Sequence, residues 1–412
     1  MRDRGSVGSA AVAAFAAILW VGVAWATGRL TAPASGDEGD YLARGRALAE
    51  IGLAALADGG RPPLMPALVA GLEIALPGGA TLPAVRVANL LLLATLPGLW
   101  WRAEVPGTGP LAGRLMAVFI AIWPPLWLLA AEAYAEAPAF WCLGVALRLV
   151  LMPGLALAAG AGLALGAVVL AKAHGALLVP VFAGACLCRP EGGRAALVLV
   201  VAAATTLAPW AVWLSLQTGG VALTTTLGRN LLVGTGAHDF GMGGGTAGDP
   251  GLARAYLRAR EPGLRSVGEA ETALGKVDLA RLEAAAERPG PAARLAEDRL
   301  ARALALSRWA EAPEQRAAHG LRKIAHAFGG SGRGAGDALV LALTVAGLAA
   351  GAALLARAPA VAVLVFAAGL AAALNAFVFL ENIRLKTLVF DLPALLALAG
   401  LAACLRRRCR VP

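Results

Sequence analysis

Gly36-Asp37-Glu38-Gly39-Asp40-Tyr41 follows closely on an uncharged apolar run over residues 5–28, an abrupt change from apolar to acidic. At roughly 1.5 Å per residue, the run is long enough to cross about 30 Å of hydrocarbon. Three carboxylates just beyond it are costly to hold unless they stay wet or bind something, which marks the membrane face as a place for chemistry. The same residues also fit a plain helix start, with Asp37 as N-cap and the acids favoured by the helix dipole. Spacing alone favours neither.

Outward from this junction, apolar runs recur along nearly the whole chain. Of its 412 residues 59% are hydrophobic and only 15% charged, and the mean hydropathy is +0.71. Such runs exclude an ordinary soluble domain and predict an all-α, polytopic membrane bundle. The net charge of +10 does not call for nucleic acid, because the basic residues sit at the ends of apolar runs and gather in Arg406-Arg407-Arg408-Cys409-Arg410. That is the positive-inside pattern. Five cysteines, Cys142 within a span and Cys186, Cys188, Cys404 and Cys409 at span ends, read as structural thiols rather than a disulfide framework.

Ten spans are predicted: residues 5–28, 82–101, 115–131, 137–152, 155–170, 176–187, 195–216, 338–356, 358–380 and 387–405. Ala24-Trp25-Ala26 loosely resembles a signal-peptide cleavage site, but the long apolar run favours an uncleaved anchor. With the N-terminus inside, the cytoplasmic connections carry Arg102 and Arg114, then Arg189 and Arg194, then Arg357, then the terminal cluster. Residues 62–76 are apolar but short, and counting them as a span would invert every later loop. A re-entrant or surface helix is the reading there. Trp100, Trp101, Trp123, Trp127, Trp210 and Trp213 fall near span ends, as interfacial anchors do.

Three regions result: a membrane region 1–216 containing a first outer loop at 29–81, a large outer loop 217–336, and C-terminal helices with a basic cytoplasmic tail at 337–412. The large loop begins Gly-rich around Gly243-Gly244-Gly245, with no Gly-Lys-Ser/Thr to make a phosphate-binding loop. Two amphipathic stripes follow, Ala296, Leu300, Ala303 and Leu304, and then Leu321, Ile324, Ala325 and Phe328. Both are expected to pack on the membrane surface or on span ends.

No GxSxG, HExxH or CxxC pattern occurs, and His174, His238, His319 and His326 lie far apart, so no metal site is read. His174 and Lys172 close a span at the outer face, either snorkelling toward headgroups or binding phosphate. Glu132 and Glu136, one helical turn apart, share a short outer turn. Glu381-Asn382-Ile383-Arg384-Leu385-Lys386 falls at the outer end of the ninth span. Polar clusters meeting at one face suit an enzyme that takes an anionic lipid-linked substrate. Cations hold the phosphate and a carboxylate deprotonates an acceptor hydroxyl.

Asp37-Glu38-x-x-Tyr41, Arg61-Pro62-Pro63-Leu64 with Pro66, Val85-Arg86-Val87-Ala88-Asn89, Pro209-Trp210, and Arg384 before Pro393 together resemble the GT-C membrane glycosyltransferases of the protein O-mannosyltransferase and aminoarabinose (lipid A) transferase type. The resemblance runs over almost the full length and rests on the order of the motifs. It implies inverting transfer of a sugar from a polyprenyl-phosphate donor to a lipid, glycan or protein acceptor, at the non-cytoplasmic face of the cell membrane. On it, Asp37 is the catalytic base with Glu38 beside it, while Tyr41, Arg61, Glu136, Lys172, His174 and Arg384 contact substrate. Gly60 stands where some members carry an acid, so a divalent cation is left open and no other cofactor is implied. Some members carry a large C-terminal soluble domain; here acceptor recognition is left to the 217–336 loop or the membrane groove. The rival reading is a transporter or lipid-handling protein without covalent chemistry. No pair of Gly/Pro-broken spans in matching halves supports it. A catalytically dead scaffold of the same fold is a third.

Overall fold

The computed structural model describes residues 4–35, 37–76, 81–235, 246–247, 281, 284–285, 290–329, 335–378, 381–382 and 387–408. The expectations for Arg384, His238 and the run Gly243-Gly244-Gly245 lie outside them.

The chain opens with α1 (Arg4–Ala26), then α2 (Glu38–Ile51), a 3₁₀ turn at Gly52–Leu56, and α3 (Leu64–Ala75). Next come α4 (Thr81–Trp101), α5 (Pro110–Ile122), α6 (Pro124–Ala130), α7 (Glu136–Leu151) and α8 (Leu155–Ala171). A 3₁₀ turn at Ala173–Leu177 leads into α9 (Leu178–Leu187), α10 (Gly192–Thr218) and α11 (Leu227–Gly234). β1 (Thr246–Ala247), α12 (Pro291–Glu311), α13 (Pro313–Gly329), α14 (Ala335–Leu354), α15 (Pro359–Val378), β2 (Glu381–Asn382), a π-helical turn at Thr387–Asp391 and α16 (Leu392–Arg408) complete the order. Apart from the short antiparallel pairing of β1 with β2, the regular structure of the described residues is helical.

Among the described residues, five helices are long and apolar enough to cross a membrane: α1, α4, α10, α15 and the segment Val389–Arg406. A sixth span results if α5 and α6, bent by 56° at their junction, count as one. A helix stands at each of the ten predicted positions, but length and composition support five or six spans. Pro153 and Gly154 explain part of the shortfall: Met152 is already extended, Gly154 has a φ of 114°, and α7 and α8 are cut to 16 and 17 residues. The short segment near residues 62–76 forms α3, 12 residues long and packed against α2.

Small residues let the helices approach closely. A Cβ added at Gly162 would meet the Leu199 carbonyl oxygen, and one at Gly166 the Thr206 side chain, so the α8–α10 seam depends on both glycines. Ser9 on α1 donates to the Gly98 carbonyl of α4 at 2.6 Å, and Trp20 donates through Nε1 to the Ala121 carbonyl of α5 at 2.8 Å. Trp100 and Trp123 belong to the core rather than to a lipid-facing belt, and Trp123 Nε1 donates to Asp391 Oδ2 at 3.0 Å. Trp210 stacks on Trp213 with centroids 5.2 Å apart.

Each apolar stripe of the large loop is only partly covered, and polar residues share the inward faces of both helices. α12 buries Leu295, Asp298, Ala301 and Leu304 while Ala296 and Ala303 stay exposed, because Asp298 Oδ1 accepts the Gly228 N–H of α11 at 2.6 Å. α13 turns His319, Gly320, Lys323 and Ala327 inward and leaves Leu321 and Ala325 exposed. Lys323 Nζ donates to the Gly234 carbonyl at 2.8 Å, and a Cβ at Gly320 would strike Phe377 of α15. Buried polar anchors, not the apolar count, set these faces.

Candidate active site

The loop between α1 and α2 is tied to α4 by one arginine. Arg86 donates through Nε to Glu38 Oε1 at 2.9 Å and through Nη2 to Glu38 Oε2 at 2.7 Å. Its Nη1 reaches the carbonyls of Arg29 (2.8 Å) and Ala32 (2.6 Å), and Nη2 also reaches that of Pro33 (3.3 Å). All five N–H groups thus have acceptors, three of them carbonyls of the first loop and two the carboxylate oxygens of Glu38 at the start of α2. Glu38 in turn accepts the backbone N–H of Ser35 at 2.8 Å and of Ala133 at 2.6 Å. Both side chains are essentially fully buried. Burial pushes the Glu38 carboxyl up, but the Arg86 hydrogen bond and the two backbone N–H groups outweigh it, and its pKa is lowered. One turn along α4, Asn89 Nδ2 donates to the carbonyls of Glu132 (2.9 Å) and Tyr134 (3.2 Å), so one helix end fixes both the first loop and the turn before α7.

On this base stands a half-exposed cluster. The Asp37 side chain makes no cap hydrogen bond to α2. It accepts instead from Arg61 Nη2 at 2.7 Å, while Arg61 Nε donates to Asp40 Oδ2 at 2.6 Å. Arg44, one turn beyond Asp40, donates to Asp40 at 2.9 Å and grips Asp58 bidentately at 2.6 and 2.9 Å. Asp58 Oδ1 also accepts the Gly60 N–H at 3.1 Å, shaping the turn that delivers Arg61. The Arg61 guanidinium lies 5.0 Å from the centre of the Tyr41 ring. Burial alone would lower the Arg61 pKa; Tyr41 and the Asp37 and Asp40 carboxylates outweigh it and hold it raised. Arg61 commits two N–H groups, and its Nη1 donates to no acceptor among the described residues.

Tyr41 is buried beneath this cluster and its hydroxyl has no hydrogen-bond partner among the described residues. Burial pushes the phenol up, while Lys172 and Arg61 pull it back. Tyr41 thus lies within electrostatic range both of Arg61 and of a second ion pair, Lys172 Nζ with Glu136 Oε1 at 2.9 Å. Glu136 opens α7 and Lys172 follows α8, so their pairing joins those two helix ends.

The structure therefore brings together Asp37, Tyr41, Arg61, Glu136 and Lys172. His174 is half-buried in the 3₁₀ turn beyond Lys172. Glu38, read beside the base, is committed to Arg86 and two backbone N–H groups. Arg44 and Asp58 were not singled out from the sequence, although the i, i+4 spacing of Asp40 and Arg44 was a usable signal. A charged residue within an apolar run was the signal for Arg86. Among the described residues, no three His, Cys, Asp or Glu side chains are grouped so as to hold a metal ion.

Neither protein-family models nor the sequences of curated proteins match this chain. Among solved structures it is similar to ArnT from Cupriavidus metallidurans, crystallised bound to undecaprenyl phosphate. The match covers 90% of this chain and 77% of that one, with 17% sequence identity and a TM-score of 0.38. It is a likeness of chain course and yields no residue correspondences.

Proposed function

We propose that this chain is a membrane glycosyltransferase that moves a sugar, with inversion, from a polyprenyl-phosphate donor to an acceptor hydroxyl at the non-cytoplasmic face. The observation that carries the reading is Arg61. It bridges Asp37 and Asp40 while its Nη1 takes no acceptor among the described residues, which suits a guanidinium that also grips phosphate. The motif order in the sequence supports the same assignment.

In the reaction, the acceptor oxygen attacks the anomeric carbon, its proton passes to Asp37, and the bond from that carbon to the phosphate oxygen breaks. A single displacement inverts the centre and needs no carboxylate nucleophile. The leaving lipid phosphate keeps the bond electrons, and Arg61 with Lys172 offsets its charge. Donor phosphate competes with Asp37 for Arg61. As the guanidinium is drawn to phosphate, the Asp37 carboxylate loses a stabilising cation and becomes a stronger base. Glu38 and Arg86 position the loop and touch no reacting atom. Tyr41, Glu136, His174 and Arg384 belong to the substrate region in this reading, and the ten-span topology with the three regions 1–216, 217–336 and 337–412 is proposed alongside it.

Mass spectrometry of lipids and glycans from cells with and without the gene tests the reading. Its loss is expected to raise one polyprenyl-phosphate sugar and to remove one sugar from an acceptor. Unchanged lipid and glycan profiles would overturn it.

A further inference from the structure

Two adjoining cavities among the described residues lie apart from the Asp37–Arg61 cluster. One of about 540 Å³ is lined by Arg102, Glu104 and Arg148, with Trp100 and Met152. The other, about 370 Å³, is lined by Arg189 and Arg357, with Cys188 and Val361. They share Pro106, Gly107, Leu151 and Pro153 and so adjoin. Four arginines thus face one carboxylate, Glu104.

These arginines come from four separate places in the chain: the ends of α4 and α7, the turn between α9 and α10, and the turn between α14 and α15. α4 carries Arg86 at its other end, and α7 carries Glu136 at its own. About 16 residues separate Arg86 from Arg102, roughly 24 Å along a helix, so this basic region lies at the opposite end of the bundle from the carboxylate cluster.

Gathering like charges needs a compensating group. Arg102 lies within repulsive range of Arg148. Arg148 Nε and Arg189 Nη2 are buried, with no hydrogen-bond partner among the described residues. Arg189 spends Nη1 on the Met152 carbonyl at 2.8 Å, which holds the side chain in place at the junction of the cavities. Burial is also the leading influence lowering the Arg189 pKa. An isolated basic group buried this way is costly, and a phosphate would supply acceptor oxygens to several guanidinium groups at once. The apolar walls, Leu151 and Val361, are suited to the carbon chain beside such a group.

We infer that these adjoining cavities form a second anion site, selective for a phosphate group, at the end of the bundle remote from the candidate active site. The inference does not depend on the glycosyltransferase reading. The phosphate can be carried by an anionic lipid headgroup or be free in solution.

Cys188 lines the second cavity and is exposed, whereas Cys142, Cys186 and Cys404 are buried, so its maleimide labelling rate reports on occupancy. The full-length protein carrying Cys409→Ser would be labelled in detergent with inorganic phosphate or with sodium chloride at matched ionic strength. It would also be labelled in phosphatidylglycerol nanodiscs and in phosphatidylcholine nanodiscs. Slower labelling with phosphate identifies a soluble anion, and slower labelling only in phosphatidylglycerol identifies a lipid; either supports the site. In Arg148→Gln/Arg189→Gln the protection should weaken by about ten-fold or more in half-protecting concentration. Arg357→Gln changes an exposed side chain and keeps the fold safe, so it should weaken protection without lowering thermal stability. The charge-keeping Arg148→Lys/Arg189→Lys should retain part of it. Equal labelling in all four conditions, or protection unchanged in the glutamine double variant and in Arg357→Gln, would overturn the site.

Discussion

Asp37→Asn keeps the shape of the side chain and can still accept the hydrogen bond from Arg61 Nη2, but an amide cannot take a proton from an acceptor hydroxyl. Transfer by the purified variant is expected to fall by about 10²- to 10⁴-fold with thermal stability in detergent unchanged. A folded variant that transfers at the parental rate would remove Asp37 from the base role. Arg61→Ala should raise the donor concentration needed for half-maximal transfer, and Arg61→Lys should recover part of the loss because charge survives while the planar fork does not. Steady-state transfer against donor concentration distinguishes these outcomes; unchanged donor kinetics in Arg61→Ala would leave Arg61 a bridge between Asp37 and Asp40 and nothing more. The two arginines of this region differ in employment: Arg86 has every N–H occupied by protein, Arg61 does not.

The start of α4 works as a clamp, and its loss should be felt as stability. Arg86→Ala strips a buried carboxylate and several loop carbonyls of their partner and is expected to cost about 3–5 kcal/mol, read as a lowered midpoint of thermal unfolding. Arg86→Lys should recover little, since three donors on a flexible stem cannot replace five in a plane. The clamp also has an acid limit. Glu38 has a depressed pKa in the folded protein, so its contribution is fully present above the ordinary value of 4.5 and is lost as the pH falls through the lower folded value. Glu132 has the opposite sign. Burial first, then repulsion from Glu38, raises its pKa despite the 2.6 Å contact with Arg29, so it becomes less unfavourable on acidification. Comparing the unfolding midpoint of the parent with Glu38→Gln as pH is lowered from 7 should show the difference shrinking only below about 4.5. A gap that stays constant through that range would mean that the Glu38 charge is not what the clamp uses. At this scale the sequence was partly legible. Helices were readable from apolar periodicity, and α2 from its acids, but the Glu38–Arg86 pair spans 48 positions and no local spacing reveals it. The inward faces of α12 and α13 were not legible for the same reason: Asp298 and Lys323 turn inward toward partners remote in sequence.

Across the whole molecule, the carboxylate cluster and the arginine-lined cavities occupy opposite ends of shared helices, and the basic bias of the short connections predicts that a membrane lies between them. Gly39 is exposed, and a Cβ there meets nothing, so Gly39→Cys offers a label at one end and native Cys188 one at the other. In sealed vesicles of a variant lacking Cys409, an impermeant maleimide should modify the two positions from different sides. Modification of both from the same side would dismantle this arrangement. The number of spans was less legible than their positions, because Pro153 and Gly154 shorten two helices whose apolar character alone reads as full spans. α4 has a further consequence. It holds Arg86 and Asn89 against the first loop at one end, and Trp100 and Arg102 at the wall of a cavity at the other. Occupancies felt through one helix are linked thermodynamically: by whatever factor an anion beside Arg102 changes affinity for the donor, the donor must change affinity for that anion by the same factor, and the coupling free energy is identical measured from either face.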